Sequence, residues 1–177
     1  MQRVYLLLGG NLGNRSENLK TAREQVTRLI GDIETASSIY ETEPWGFSHH
    51  IPFYNQAVVS VTSLEPEKVL QVLRKIEEGL GRKEGNPGRK KGDPGRKKEK
   101  GQYSARTIDI DILFYEDRVI NKKELVIPHP RLHERRFALA PLVEIAPRLV
   151  HPVLGKTIDA LYEQCDDNST VKRIESG

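Results

Sequence analysis

Asp109 and Asp111 stand in the run Arg106-Thr107-Ile108-Asp109-Ile110-Asp111-Ile112-Leu113. If that run is a strand, alternate residues share a face. Both carboxylates then point one way, and Ile108, Ile110 and Ile112 point the other. Two carboxylates roughly 6 Å apart repel by about 2–3 kcal/mol at an effective dielectric of about 20. A cation relieves such a pair. Oxygen-only ligands with an open side suit magnesium, which keeps waters and takes other ligands from phosphates. An isolated pair of this kind could equally lie idle on a solvated face. Here, however, Arg106 stands three residues before the first carboxylate, and the block His129-Pro130-Arg131-Leu132-His133-Glu134-Arg135-Arg136 adds cationic groups. Carboxylates to hold metal, with Arg, Lys and His to meet phosphate charge, are what phosphoryl transfer from a nucleotide requires.

A second group, Thr42, Pro44, Phe53, Tyr54 and Asn55, falls where a Pro-Gly loop leaves one extended run and enters the next. Aromatic walls with amide partners can take a flat polar heterocycle. Phe53 as plain core and Asn55 as a turn residue is the competing reading. Gly9 to Gly13 lacks the Lys-Ser/Thr of a phosphate-binding P-loop, and no protein-kinase signature is present.

The elements that must position these residues follow from periodicity. Val4 to Leu8 reads as a strand, ended by the turn Gly9 to Asn14. Leu19, Ala22, Val26, Leu29 and Ile30 then mark one face of a helix that Gly31-Asp32 stops. Ile33 to Glu43 is one extended run, and Phe53 to Thr62 another. Pro66 opens a second helix with Val69, Val72, Leu73, Ile76 and Leu80 inward. Arg106 to Tyr115 reads as a strand, paired through Glu116-Asp117 with a short partner around Val119. Pro128, Pro130, Pro141, Pro147 and Pro152 punctuate loops and short helices beyond it. After Gln164 the tail shows no readable role. The order predicts an α+β sandwich with a mainly antiparallel sheet and helices packed on it.

With 177 residues, 37% hydrophobic and 30% charged, the chain fits one globular domain, 1–177. Its net charge of +3 is unevenly placed. From Arg82 to Lys100, nine Lys and Arg against three acids give +6, which leaves −3 elsewhere. That stretch repeats Pro-Gly-Arg-Lys-Lys and holds no apolar residue, so a long basic mobile loop is expected at about 82–102. Such a charge run could bind nucleic acid through counterion release. It has no interleaved aromatics to stack bases, and no nucleic-acid partner is expected. The apolar run Tyr5 to Leu8 is too short for a signal peptide or a membrane span. One cysteine, Cys165, permits no internal disulfide, so a reducing cytoplasm and no membrane are expected.

Taken together, these motifs resemble the 6-hydroxymethyl-7,8-dihydropterin pyrophosphokinase family of folate biosynthesis. The matching pieces stand in family order: Leu8-Gly9-Gly10-Asn11-Leu12-Gly13, Tyr40 to Gly46, Phe53 to Val58, Ile76-Glu77 with Gly81-Arg82, Arg106 to Ile112, Ile127 to Arg131, and Glu134 to Pro147. The resemblance implies a ferredoxin-like α+β fold and transfer of a diphosphate from ATP to the pterin's hydroxymethyl group, with AMP leaving. It implies that Asp109 and Asp111 hold two magnesium ions. Arg82 and Arg106 would reach the phosphates, Arg106 as transition-state stabiliser. Glu77, Ile112, His129 and Arg135 would also bind ATP. Thr42, Pro44, Trp45, Phe53, Asn55, Tyr103 and Phe137 would bind the pterin, Phe53 and Phe137 sandwiching its ring. A monomer using ATP and the pterin is expected. The sequence departs from the family at Gln102, where a basic residue is usual, and at Ser104, where Gly is usual. Lys100 could supply the missing charge.

Overall fold

Alternation along the first strand decides which side of the sheet each residue serves. The computed structural model describes residues 1–81 and 105–174. In it β1, Gln2–Gly10, buries Val4, Leu6 and Leu8 on one face and Leu7 on the other. It pairs antiparallel with β4, Phe53–Thr62, and with β5, Asp109–Tyr115. The expected run Ile33 to Glu43 is broken at Ser37-Ser38 into β2, Ile33–Ala36, and β3, Ile39–Thr42. Both pieces pair with β4, and between them the Ser37 hydroxyl accepts the Ala57 N–H at 3.0 Å and interrupts the ladder.

The Val4/Leu6/Leu8 face carries α1, Arg15–Leu29, and α2, Pro66–Gly81. The Asn14 side chain caps α1 by accepting the Glu17 N–H at 3.2 Å. Leu19 and Val26 of α1 meet Val69, Leu73 and Ile76 of α2 in one core cluster with Ile108, Ile110 and Ile112. Each large aliphatic side chain so buried contributes at most about 1.5–3 kcal/mol. The opposite face carries α3, Arg136–Ile145, and α4, Ile158–Glu163, over Leu7, Ala57, Leu113 and Phe114. Helices on an antiparallel sheet are the α+β class expected.

Several boundaries differ from the sequence reading. The catalytic-strand candidate begins at Asp109, not Arg106, since residues 105–108 leave the ladder to bond the first turn. Glu116-Asp117 does not close a hairpin with a partner near Val119. Instead β6, Ile120–Lys122, pairs with β7, Leu125–Ile127, as a separate two-stranded sheet. The tail forms β8, Val171–Ile174, paired with β3, so the main sheet runs β5-β1-β4-β3-β8 with β2 beside β4. The basic loop expected at about 82–102 falls within 82–104, outside the described residues.

The Gly9-Gly10 pair is there for close approach. A Cβ on Gly9 would lie 2.3 Å from Asn55 Oδ1, and one on Gly10 would lie 2.1 Å from the Thr107 carbonyl oxygen. The second neighbour is backbone and cannot swing aside. Gly10→Ala is therefore expected to displace residues 105–108 and cost about 1–3 kcal/mol, as overpacking does. Thermal unfolding checks it, and an unchanged Tm would show that the segment yields freely.

Candidate active site

Where β1, β4 and β5 come together, they open a cleft of about 540 Å³, the solvent-open space at its mouth included. β5 sends Asp109 and Asp111 into it, opposite Gly9 and Leu7 of β1. Ile108, Ile110 and Ile112 pack against the helices behind, as strand alternation requires.

The carboxylates already have cationic neighbours. Arg106 Nη1 donates to Asp109 Oδ2 at 2.5 Å, with both side chains about a third exposed. Arg135, only 9% exposed in its side chain, lies 3.9 Å from Asp111. These arginines supply the charge that the sequence argument assigned to a metal alone. Burial, then the nearby Asp109 charge, raises the Asp111 carboxyl to about 6, although a third of the side chain still opens on the cleft. A divalent ion suits this pair, which offers oxygen donors only and holds like charges together. Among the described residues no group of three or more His, Cys, Asp or Glu side chains is placed to enclose a metal. An ion here would complete its shell with water and phosphate, as magnesium does.

Arg106 is fixed from behind. Its N–H donates to Asn11 Oδ1 at 3.0 Å, while its carbonyl accepts from Asn11 N at 3.0 Å and Leu12 N at 3.3 Å. Asn11, 1% exposed, also donates from Nδ2 to the Ile51 carbonyl at 3.2 Å. One buried amide thus ties Arg106 to the loop after β3. Sequence reasoning missed this role for Asn11. The available signal was a polar residue inside a Gly-rich turn that lacks phosphate-loop chemistry.

The other half of the cleft is aromatic. Trp45, Phe47, Phe53 and Phe137 line it with Thr42 and Asn55. Asn55 Nδ2 donates to Thr42 Oγ1 at 2.7 Å, and both residues are buried. Phe47 meets Phe53 edge-on at 6.0 Å, and Trp45 lies tilted 6.3 Å from Phe137. The Arg131 and Arg135 guanidiniums sit 4.4 and 4.9 Å from the Trp45 ring centroid. Phe47 and Glu43, which also line the cleft, were not picked from the sequence, though Phe47 follows Trp45-Gly46 directly.

Other expected residues stand apart. Pro44 does not line the cleft. The Ile112 side chain is 6% exposed and packs in the helix-facing core. Any part it takes must come from backbone at the β5 edge. His129 sits behind Arg135, with Nε2 3.4 Å from Arg135 Nη1. Burial, then Arg135, pushes its imidazole down to about 4. It is neutral at neutral pH, a correction to counting it among the cations. Glu77 accepts the Ile110 N–H at 2.6 Å, bonding the strand edge between the two aspartates. Burial, with Asp109 alongside, holds its carboxyl up at about 7 against that hydrogen bond. Arg82, Lys100, Gln102, Tyr103 and Ser104 lie outside the described residues.

The model of the 7,8-dihydro-6-hydroxymethylpterin-pyrophosphokinase family matches residues 5–147. The chain belongs to this family. The chain is 37% identical over 158 residues to the 2-amino-4-hydroxy-6-hydroxymethyldihydropteridine pyrophosphokinase of Aquifex aeolicus, covering 89% of each chain. It is 36% identical over 176 residues to the protein of that name in Methylorubrum extorquens, covering 99% of this chain and 100% of that one. A Plasmodium falciparum HPPK-DHPS crystal structure superposes with a TM-score of 0.70 over 93% of this chain at 21% identity, which shows the fold. This chain spans 43% of that longer one. It is an ATP-dependent diphosphotransferase of folate synthesis with the ferredoxin-like α+β fold. Among the described residues no helix is long and apolar enough to cross a membrane.

Proposed function

We propose that the cleft binds 6-hydroxymethyl-7,8-dihydropterin in its aromatic half and the ATP triphosphate at its acidic edge. The pterin's hydroxymethyl oxygen attacks the β-phosphorus, the bond from that phosphorus to the oxygen bridging the α-phosphate breaks, and AMP leaves. The observation that carries this reading is that an aromatic slot and a paired-carboxylate, paired-arginine edge share one cleft. Phe53 and Phe137 stack the ring, while Thr42 and Asn55 meet its polar edge, with Trp45 beside them; Pro44 is assigned to the pterin by family resemblance alone. Asp109 and Asp111 would hold magnesium, two ions by family resemblance, which supplies charge neutralisation on the triphosphate.

Asp109 would hold the ion through the carboxylate it now offers to Arg106, and the Arg106 guanidinium would then reach the transferring diphosphate. Arg135, already beside Asp111, neutralises phosphate charge, and neutral His129 acts through hydrogen bonding. Arg82 is assigned to the phosphates and Tyr103 to the pterin by family resemblance, and Glu77 holds the strand edge near the nucleotide. No general base is assigned, because alignment and electrostatics dominate phosphoryl transfer and the alcohol proton passes to water. The chain works as one domain, a monomer in the cytoplasm.

Product analysis is the direct test. Incubation with ATP, magnesium and the pterin is expected to yield AMP and pterin diphosphate. ADP would instead mean transfer of one phosphate and would overturn the reaction assigned here.

A further inference from the structure

The segment after α4, silent in the sequence, touches both walls of the cleft. α3 starts at Arg136, and Arg135 at its N-cap gives no side-chain cap. Asp167 does that work from a distance. Its Oδ2 accepts the Arg136 N–H at 3.0 Å, and its Oδ1 accepts the Ser169 N–H at 3.0 Å. A carboxylate there meets an orphan donor and the positive end of the helix. Three residues on, the chain reaches the other wall. The Glu43 N–H donates to the Thr170 carbonyl, and the Thr170 N–H donates to Glu43 Oε2, both at 3.4 Å. Val171 then pairs with Thr42, and Arg173 Nε donates to Ser38 Oγ at 2.9 Å.

Thr42, Glu43 and Trp45 enter the cleft from the β3 side, and Arg135 and Phe137 enter from the start of α3. The two sides meet at Trp45, 6.3 Å from Phe137 and 4.9 Å from the Arg135 guanidinium. We infer that Asp167 is a positioning residue that, through the strap 167–174, sets the spacing of the two aromatic walls and so the width of the ring slot. This rests on the reading that the slot takes the pterin.

Full-length Asp167→Ala and Asp167→Asn test it. In Asp167→Ala the pterin KM is expected to rise about fivefold, the equilibrium factor for losing one helix cap, with kcat and ATP KM unchanged. Asp167→Asn offers one acceptor oxygen in place of two and should fall between. Trp45 is the chain's only tryptophan. Its emission in the folded, ligand-free variant should move to longer wavelength, a readout that needs no turnover. A variant that loses only Tm, with pterin KM and Trp45 emission as in the unaltered protein, overturns the inference. So does an equal rise in both KM values. Should Asp167→Ala fail to fold, Asp167→Asn is read by the same measures. Absence of AMP from the unaltered chain would sink the proposed reaction instead, and the Trp45 measurement separates the two failures.

Discussion

Replacing Asp109 with alanine is expected to abolish AMP formation, lowering turnover by roughly three orders of magnitude, equivalent to about 4 kcal/mol of transition-state stabilisation. The loss comes from removing one of two oxygen ligands in a site where the protein offers few others. Folding should be little affected. Asp109 pairs with Arg106, and both side chains are about a third exposed, so solvent screens the pair and its loss costs about 1 kcal/mol or less. Removing the carboxylate also relieves its repulsion of Asp111, a contributor to that group's raised pKa. Turnover measured by AMP release, alongside thermal unfolding, separates the two effects. Activity within tenfold of the unaltered enzyme would remove metal binding at Asp109. Near-normal activity restored by raised magnesium would show weakened binding in place of lost chemistry.

Arg106→Ala carries the second large effect and should separate rate from affinity. An arginine aimed at the transferring phosphates can be worth roughly 10³ or more in rate. In the ligand-free protein Arg106 is held by Asn11 through its backbone and by Asp109 through its guanidinium. Substitution leaves the backbone clamp intact, so the loop after β3 should stay in place. Binding of an ATP analogue with magnesium should change far less, because Arg135 and the metal remain. Steady-state kcat and calorimetric affinity for the analogue decide between roles. A drop in affinity as large as the drop in rate would make Arg106 a ground-state binder, and a near-normal rate would remove it from the mechanism.

The two variants also probe how the carboxylate pair tolerates its own repulsion. The sequence argument reached for a metal because two adjacent acids on one strand face need a cation. The fold supplies Arg106 and Arg135 first, and they offset the repulsion only in part, since Asp109 still helps to raise the Asp111 carboxyl. On the proposed reading, a metal ion held by the two carboxylates would add to the charge that the arginines already supply.

Local pattern was enough for the face on which Asp109 and Asp111 lie, for the helices α1 and α2, and for the place of the aromatic slot, because strand alternation and helical period are properties of neighbouring residues. The concentration of positive charge in 82–100 was likewise plain from the residues alone. Long-range geometry decided the rest. Nothing local tells Ile120 to pair with Ile127 instead of returning to β5, or brings Asp167 to cap a helix 31 residues earlier. His129 and Arg136 look alike as cationic residues in a basic block. Only packing against Arg135 and the core leaves the imidazole neutral. Residue types and spacing are written in the chain, whereas burial, and the charge state and partners that follow from it, exist only once distant segments have come together.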